Sequence, residues 1–200
     1  MDIYLVRHGQ TAGNLARRHQ HPNTPLTTAG EAQAARVATS LAQTDPTHLI
    51  TSTHKRAVET ACIVGTACQL IPKTYPAFQE LHRPQYMIGT YLIGWTTIKY
   101  VLRWFYDDAS ASMHDGETYE ALLVRLATAR AYIEALPADA RVVVVSHSVY
   151  INFFIAHCRH SKRMGLLRAV ITFAKILLLK NSSVTHLRYT DSHGWQVVRH

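Results

Sequence analysis

Two stretches of this sequence place a histidine at the end of an apolar run. Residues 3–6 lead into Arg7 and His8, and residues 142–145 lead through Ser146 into His147. Apolar runs of this length predict strands that are buried in a parallel sheet. Because parallel neighbours end at the same edge of a sheet, where α/β folds bind ligands, we expect both rings at one edge. A guanidinium beside two imidazoles can bind an oxyanion and supply a nucleophilic or basic ring nitrogen.

Three further side chains suit the same chemistry. Asn14 follows the first predicted strand, Arg56 lies near the start of a predicted helix, and Glu80 lies in a later loop. Two guanidinium groups would neutralise a phosphoryl group without a metal, and a carboxylic acid would protonate a poor leaving oxygen. A neutral imidazole attacks in line if an acceptor holds its other nitrogen. We therefore interpret His8 as a nucleophile toward a phosphoryl group.

The order of these residues resembles the signature of the histidine phosphatase superfamily, the phosphoglycerate mutase-like proteins. The resemblance covers nearly the whole chain and is weakest at residues 85–108 and 162–179. The matching stretches are Arg7-His8-Gly9-Gln10-Thr11-Ala12-Gly13-Asn14, Pro25-Leu26-Thr27 with Gly30, Ser52 with Arg56-Ala57 and Thr60-Ala61, Gln79-Glu80-Leu81, Gly116-Glu117-Thr118, Ser146-His147 and Asn181-Ser182-Ser183-Val184-Thr185.

The resemblance implies a role for each of these site residues. His8 would be the nucleophile that becomes phosphohistidine, and Glu80 would be the proton donor to the leaving oxygen. The groups that bind and neutralise the phosphoryl group would be Arg7, Arg56 and His147, with a further hydrogen bond from Asn14. We also assign Thr24 and Ser148 to substrate binding, and we expect no cofactor and no metal.

One site position departs from the family pattern. Ser148 follows His147, whereas the family usually has glycine there. Because serine is a favourable residue at the start of a helix, we expect Ser148 to cap the following helix. The expected consequence is a shifted pocket floor rather than a loss of activity.

The remaining patterns predict one α/β domain over residues 1–200. Strands and helices alternate along the chain, which favours a three-layer α/β/α sandwich with a mostly parallel central sheet, as the resemblance also implies. Two segments each allow two interpretations: residues 70–78 predict a strand or an extended connection broken by two prolines, and residues 165–179 predict a helix that either continues or becomes extended at its end. Two closing strands are expected at residues 183–189 and 195–198.

The segment from about residue 84 to residue 112 is rich in aromatic side chains and has three interpretations. We favour a helical cap insert that covers the pocket and sets substrate preference. A dimer surface and a contact with a membrane surface remain open, because Trp, Tyr and Lys are interleaved in it. Lys99 and Arg103 inside the apolar run argue against a membrane-spanning helix.

Composition restricts the partners. The net charge is +8 and hydrophobic residues make up 48% of the chain, which predicts a globular protein that favours anionic partners. Lysine and arginine are scattered, which argues against nucleic acid. The three cysteines form no recognisable framework and the N-terminus does not resemble a signal peptide, so we expect the cytoplasm. The thirteen histidines lack metal-ligand spacing.

The sequence thus favours a metal-independent phosphatase that hydrolyses a small phosphorylated metabolite, a phosphomonoester, through phosphohistidine at His8. One alternative is a mutase of the phosphoglycerate mutase type, although the glycolytic mutases of the family are generally longer. Another is a non-catalytic member that binds phosphorylated ligands, which would not need the acid Glu80. We expect no nucleic-acid partner and no stable membrane insertion, and a homodimer remains open.

Overall fold

The computed structural model describes residues 1–106, 115–160 and 163–199, and its centre is one six-stranded sheet. Four strands run parallel in the order β3-β2-β4-β1, and β5 and β6 continue the sheet in antiparallel orientation. This mixed, mostly parallel sheet agrees with the predicted fold class. The strands are β1 (Asp2–Arg7), β2 (His48–Thr51), β3 (Lys73–Thr74), β4 (Arg141–Ser146), β5 (Val184–Thr190) and β6 (Gly194–Arg199).

Seven α-helices accompany these strands in the described ranges. Thr27 caps the second of them by accepting a hydrogen bond from the Gly30 amide at 3.1 Å. The helices are α1 (Ala12–Leu15), α2 (Thr28–Ala42), α3 (Lys55–Cys68), α4 (Trp95–Phe105), α5 (Tyr119–Glu134), α6 (Ser148–Arg159) and α7 (Leu166–Leu178).

Strand β4 shows why the sheet is covered on both faces. Val142 and Val144 belong to one buried cluster, which includes residues of α5 and α6. Val143 and Val145 belong to a second cluster, which includes residues of α2 and α3. Because successive side chains of a strand point to opposite faces, an uninterrupted valine run needs an apolar layer on each side. The three predicted layers are therefore confirmed.

The structure decides two elements for which the sequence left alternatives open. In the 70–78 segment only Lys73–Thr74 pairs as a strand, and Pro76–Phe78 forms a 3-10 turn. The adjacent Pro72 and Pro76 have no N–H for a strand ladder, which limits the pairing. In the 165–179 segment the helix continues to Leu178 and does not become extended before Leu179.

Ser148 does not cap α6, so that prediction is wrong. The helix already begins at Ser148, and the residue in the N-cap position is His147, whose side chain makes no capping hydrogen bond. A cap residue lies just before the helix, where its side chain accepts hydrogen bonds from the first free amides. Ser148 is already the first residue of the helix, one position too late for this role.

The aromatic segment after Glu80 contains a 3-10 turn at Gln85–Met87 and helix α4. Residues 107–112 of the predicted insert lie outside the described residues. No helix among the described residues is long and apolar enough to cross a membrane.

A close contact between two glycines fixes the loop that follows β1. A Cβ atom on Gly9 would lie 2.4 Å from the carbonyl oxygen of Gly30. A Cβ atom on Gly30 would lie 2.1 Å from the carbonyl oxygen of Gln10. Both positions therefore require glycine for close approach of the backbones, which brings the start of α2 against the loop that carries His8.

Candidate active site

His8 lies immediately after β1 and is 3% exposed. Its Nδ1 lies 2.7 Å from the carbonyl oxygen of Gly9, so Nδ1 carries the hydrogen and donates it. Its Nε2 accepts a hydrogen bond from Nε of Arg56 at 3.2 Å. The lone pair on Nε2 is therefore the one available for attack, as the predicted tautomer required.

Arg56 lies in the first turn of α3, and its guanidinium contacts His8. Besides the bond to His8, its Nη1 donates to the carbonyl of His21 at 3.2 Å and its Nη2 lies 3.1 Å from Nδ1 of His54. The side chain is 4% exposed. Burial lowers the pKa of Arg56 to about 10, against a raising effect of Glu80. The group therefore remains a cation at neutral pH.

His147 follows β4, the strand beside β1, and packs against His8 with ring centroids 5.2 Å apart. Its Nε2 lies 2.8 Å from Oγ of Ser52, and its Nδ1 is buried and has no hydrogen-bond partner in the structure. The expectation that both rings lie at one sheet edge is confirmed by the register, in which Arg7 pairs with Ser146.

Both imidazoles are held neutral. Burial lowers the pKa of His8 well below its ordinary value, and the nearby cations Arg56 and Arg7 lower it further. Burial, Arg56 and His8 lower the pKa of His147 in the same way. A neutral His8 keeps its lone pair across the physiological pH range, which a nucleophile requires.

Arg7 and Asn14 supply further donors beside His8. Arg7 donates through Nη1 to the carbonyl of Leu179, and its Nε is buried with no partner in the structure. Oδ1 of Asn14 accepts hydrogen bonds from the Thr11 amide at 3.1 Å and from Nδ2 of Asn181 at 3.0 Å. Because the oxygen of Asn14 is occupied, its NH₂ group is the one that can serve an anion.

The carboxylate of Glu80, which belongs to a distant loop, lies beside the first turn of α6. Its Oε1 accepts hydrogen bonds from the amides of Leu81 at 2.9 Å and Tyr150 at 3.0 Å, and its Oε2 accepts from the Val149 amide at 3.3 Å. The first-turn amides of a helix have no partner within the helix, so a carboxylate is well placed there. Burial lowers the pKa of both Arg7 and Arg56, and the negative charge of Glu80 opposes this lowering in each.

One cavity of about 570 Å³ contains most of the predicted site. His147 lies behind His8 and does not line the cavity, and Thr24 does not line it either; the Thr24 amide instead donates to the His21 carbonyl. The predicted residues that line it are Arg7, His8, Asn14, Arg56, Glu80 and Ser148.

The whole sequence matches one family model. The model for branch 1 of the histidine phosphatase superfamily covers residues 3–200. The chain belongs to this superfamily.

The proteins to which this chain is similar in sequence or in fold carry the names of both mutases and phosphatases. The chain is 30% identical to a Proteus mirabilis protein named "Probable phosphoglycerate mutase GpmB", over 98% of this chain and 91% of that protein, and 31% identical to a protein of the same name from Enterobacter, with the same coverage. The fold resembles a mycobacterial glucosyl-3-phosphoglycerate phosphatase (TM-score 0.75, 23% identity, 98% and 97% of the two chains). It also resembles a phosphoglycerate mutase from Bacillus anthracis (TM-score 0.76, 21% identity, 100% and 92%).

The sequence did not assign a site role to His54 or Asn181. His54 packs on His147 with ring centroids 4.8 Å apart, lines the cavity, and has a pKa lowered to about 3 by burial and Arg56. Nδ2 of Asn181 also reaches the carbonyl of His8 at 3.1 Å. Asn181 lay in one of the stretches that match the histidine phosphatases, which was the available signal. His54 lay two residues before Arg56 and gave no signal beyond that position.

A partly buried ion pair was not predicted from the sequence, and it holds the loop that carries Glu80. Nε and Nη2 of Arg125 each lie 2.7 Å from an oxygen of Glu117. Nη1 of Arg125 donates to the carbonyls of Ala77 at 3.1 Å and Gln79 at 2.7 Å. The pair thus connects α5 to the residues just before Glu80, so we regard Arg125 as a positioning residue.

Removing one charge of this pair is expected to destabilise the protein. Their side chains are 18% and 10% exposed, so Glu117→Gln leaves Arg125 buried without a counter-charge and should lower the free energy of unfolding by about 3 kcal/mol. Chemical denaturation measures this. The control is Asp45→Asn, which removes the pair with Arg141 at a side chain that is 91% exposed and should cost less than about 1 kcal/mol. Equal losses in the two variants would contradict the assigned role.

Among the described residues, no group of three or more His, Cys, Asp or Glu side chains could hold a metal ion. The positive charges that face the cavity near His8 come instead from Arg7 and Arg56.

Proposed function

We propose that this histidine phosphatase superfamily member is a metal-independent phosphatase that hydrolyses a small phosphomonoester through a phosphohistidine at His8. The observation that carries the proposal is the state of His8. Its Nδ1–H is tied to the Gly9 carbonyl, its pKa is lowered, and its Nε2 lies against the Arg56 guanidinium in the cavity. This is a neutral nucleophile beside a fixed cation.

In the first step, Nε2 of His8 attacks phosphorus and the bond to the leaving oxygen breaks. Nε of Arg56, which donates to Nε2 of His8 in the structure, donates to a phosphoryl oxygen when substrate is bound. Nε of Arg7, which has no partner in the structure, and the NH₂ group of Asn14 donate to other phosphoryl oxygens. Fixed donors of this kind stabilise charge on the transferring oxygens without reorganisation. Glu80 enters this step as the carboxylic acid and gives its proton to the leaving oxygen, so an alcohol departs and the carboxylate is left for the second step.

His147 contributes a donor from behind His8. Oγ of Ser52 accepts a hydrogen bond from the His54 amide at 3.2 Å and can give its own hydrogen to Nε2 of His147. The neutral ring then carries its hydrogen on Nδ1, the atom that has no partner in the structure. Because His147 does not line the cavity, a phosphoryl oxygen would satisfy this N–H only if bound substrate displaced part of the wall beside His8.

In the second step, the Glu80 carboxylate takes a proton from a water molecule, which attacks phosphorus. The bond between nitrogen and phosphorus breaks, phosphate leaves, and His8 returns to the neutral form. A mutase shares the first step but returns the phosphoryl group to an organic acceptor instead of to water. Relatives of both kinds occur, so the acceptor has to be measured.

The deciding experiment follows both products in EDTA. The enzyme is incubated with p-nitrophenyl phosphate and with a panel of phosphorylated metabolites, and free phosphate and alcohol are measured together. We expect phosphate and alcohol in equal amounts and no inhibition by EDTA. Phosphoryl transfer to a metabolite without release of phosphate would establish the mutase alternative. The absence of any turnover would favour a non-catalytic binding protein.

We also propose the cytoplasm as the location, because Cys62, Cys68 and Cys158 are all free thiols in the structure. Reduced cysteines are typical of intracellular proteins. The homodimer remains a prediction.

A further inference from the structure

The cavity that holds His8 is larger than a phosphoryl group requires. At about 570 Å³ it falls within the range of roughly 300–1,000 Å³ that accommodates a complete small-molecule ligand. His8, Arg7, Arg56 and Glu80 account for one part of its wall. The remaining volume must therefore be explained by the leaving group or by another occupant.

Two helices build an apolar section of the remaining wall, beside a polar section that includes Arg18, Gln20 and Arg83. From α4 come Ile98 and Leu102, and from α7 come Val170, Phe173 and Leu177. None of the charged residues of these two helices lines the cavity. A sugar or a carboxylate placed between these two helices would lose its hydrogen bonds to water without finding a charged partner on either helix, although Arg18 and Arg83 line the cavity elsewhere.

The apolar wall is accessible to solvent. Leu102, Val170 and Leu177 line the cavity and yet are 51%, 59% and 60% exposed. When an apolar ligand covers apolar side chains that face the same water-filled cleft, the free energy of the system falls, because apolar surface is removed from water. Exposed leucine and valine side chains in a walled cavity therefore favour an apolar occupant.

The two parts meet at Glu80. Val149, whose amide donates to Oε2 of Glu80 at 3.3 Å, also lines the cavity, as does Leu81, whose amide donates to Oε1. The carboxylate that would protonate the leaving oxygen thus lies beside the first apolar wall residues. A leaving group bonded to phosphorus at His8 would pass Glu80 and continue along α4 and α7.

We propose that the substrate is an amphiphilic phosphomonoester, whose leaving alcohol carries an apolar alkyl chain that lies between α4 and α7. This proposal rests on the proposed phosphatase function and specifies its substrate class. The continuity of the apolar walls with the phosphoryl end of the same cavity distinguishes this occupant from a separate partner. A substrate joined at His8 would fill both parts at once.

The test compares methyl, butyl and octyl phosphate below their micelle-forming concentrations. Their leaving oxygens are chemically similar, so differences in kcat/KM report binding of the chain. We expect kcat/KM to rise about fourfold for each methylene group that becomes fully buried, until the cleft is filled. A flat series with measurable turnover of methyl phosphate would overturn the apolar site and leave the phosphatase function intact, whereas no turnover of any ester would contradict the function itself.

Substitutions in the wall provide the second arm. Leu102→Asn and Leu177→Asn should each lower the ratio of octyl to methyl kcat/KM at least about fivefold, because each removes an apolar contact with the chain. A partial loss of folded protein lowers both rates equally, so the ratio isolates this contact. The matched control is Val124→Asn on α5, a helix residue that is 61% exposed and outside the cavity, and it should leave the ratio unchanged.

Two other occupants would give different results. If the apolar walls contact a membrane, the protein should sediment with phospholipid vesicles and Leu102→Asn should abolish this, while the octyl to methyl ratio stays near one. If a second copy covers the walls, Leu102→Asn should convert a dimer to a monomer in analytical ultracentrifugation, again with a ratio near one. Either result would overturn the proposal.

Discussion

Replacement of His8 by alanine is expected to lower the turnover of p-nitrophenyl phosphate on the order of 10⁴-fold or more, because the attacking atom is removed. The groups that contact His8 are not placed to replace its Nε2. His147 lies behind it with its Nε2 engaged by Ser52 at 2.8 Å, and Arg56 has no lone pair to offer. Initial rates of p-nitrophenol release measure the effect.

A buried histidine elsewhere in the chain provides the control for His8→Ala. His157 is 6% exposed, close to the 3% of His8, and it does not line the cavity. His157→Ala creates a similar void and should retain turnover in proportion to the folded fraction, which near-UV circular dichroism reports. Retained activity in folded His8→Ala protein would remove His8 as the nucleophile.

Replacement of Glu80 by glutamine is expected to have an effect that depends on the leaving group. An alkyl phosphate releases a poor leaving group that needs a proton, so its turnover should fall about 10²- to 10⁴-fold. p-Nitrophenol leaves as an anion, so formation of phosphohistidine from p-nitrophenyl phosphate should change much less. Rates of phosphohistidine formation with the two esters, measured in a single turnover, give the comparison.

The control for Glu80→Gln is Glu59→Gln. The Glu59 carboxylate also accepts a backbone hydrogen bond, from the Leu26 amide at 2.8 Å, but it lies outside the cavity. This variant should change the rates with both esters by the same small factor. If Glu80→Gln slowed the two esters equally, the loss would reflect the disturbed hydrogen bonds from the Val149 and Tyr150 amides rather than the loss of proton donation.

The sequence predicted the two strands that carry His8 and His147 because their signals are local. An uninterrupted valine run at residues 142–145 predicts a buried strand wherever it occurs, and a second apolar run that ends in Arg7 and His8 predicts its neighbour. The start of α3 before Arg56 was equally local. The part of the site that depends on strand ends and helix starts was therefore predictable.

The contacts that orient these residues were not predictable in the same way. Arg125 reaches the loop before Glu80 from 46 residues away in sequence, and Asn181 reaches His8 from 173 residues away. Family motifs marked Glu117 and Asn181 without saying what they touch. Such pairings depend on how helices and loops pack on the sheet, and no periodicity in the sequence encodes them.

The misplaced cap at Ser148 has a similar physical origin. Serine favours the N-cap, but the backbone of His147 already occupies that position, with φ −131° and ψ 159°. Two amides of the first turn instead bind the carboxylate of Glu80, from a distant part of the chain. Tertiary contact here replaced a local preference.

The most direct test of the central claim is the mass of the Glu80→Gln protein after brief exposure to p-nitrophenyl phosphate. This variant should still accept the phosphoryl group but should lack the base that activates water, so phosphohistidine should accumulate. We predict a mass increase of one phosphoryl group, labile in acid, on the peptide that contains His8, and no increase in the double variant that also carries His8→Ala. Phosphorylation at any other residue, or an unmodified His8 during continued turnover, would contradict the account.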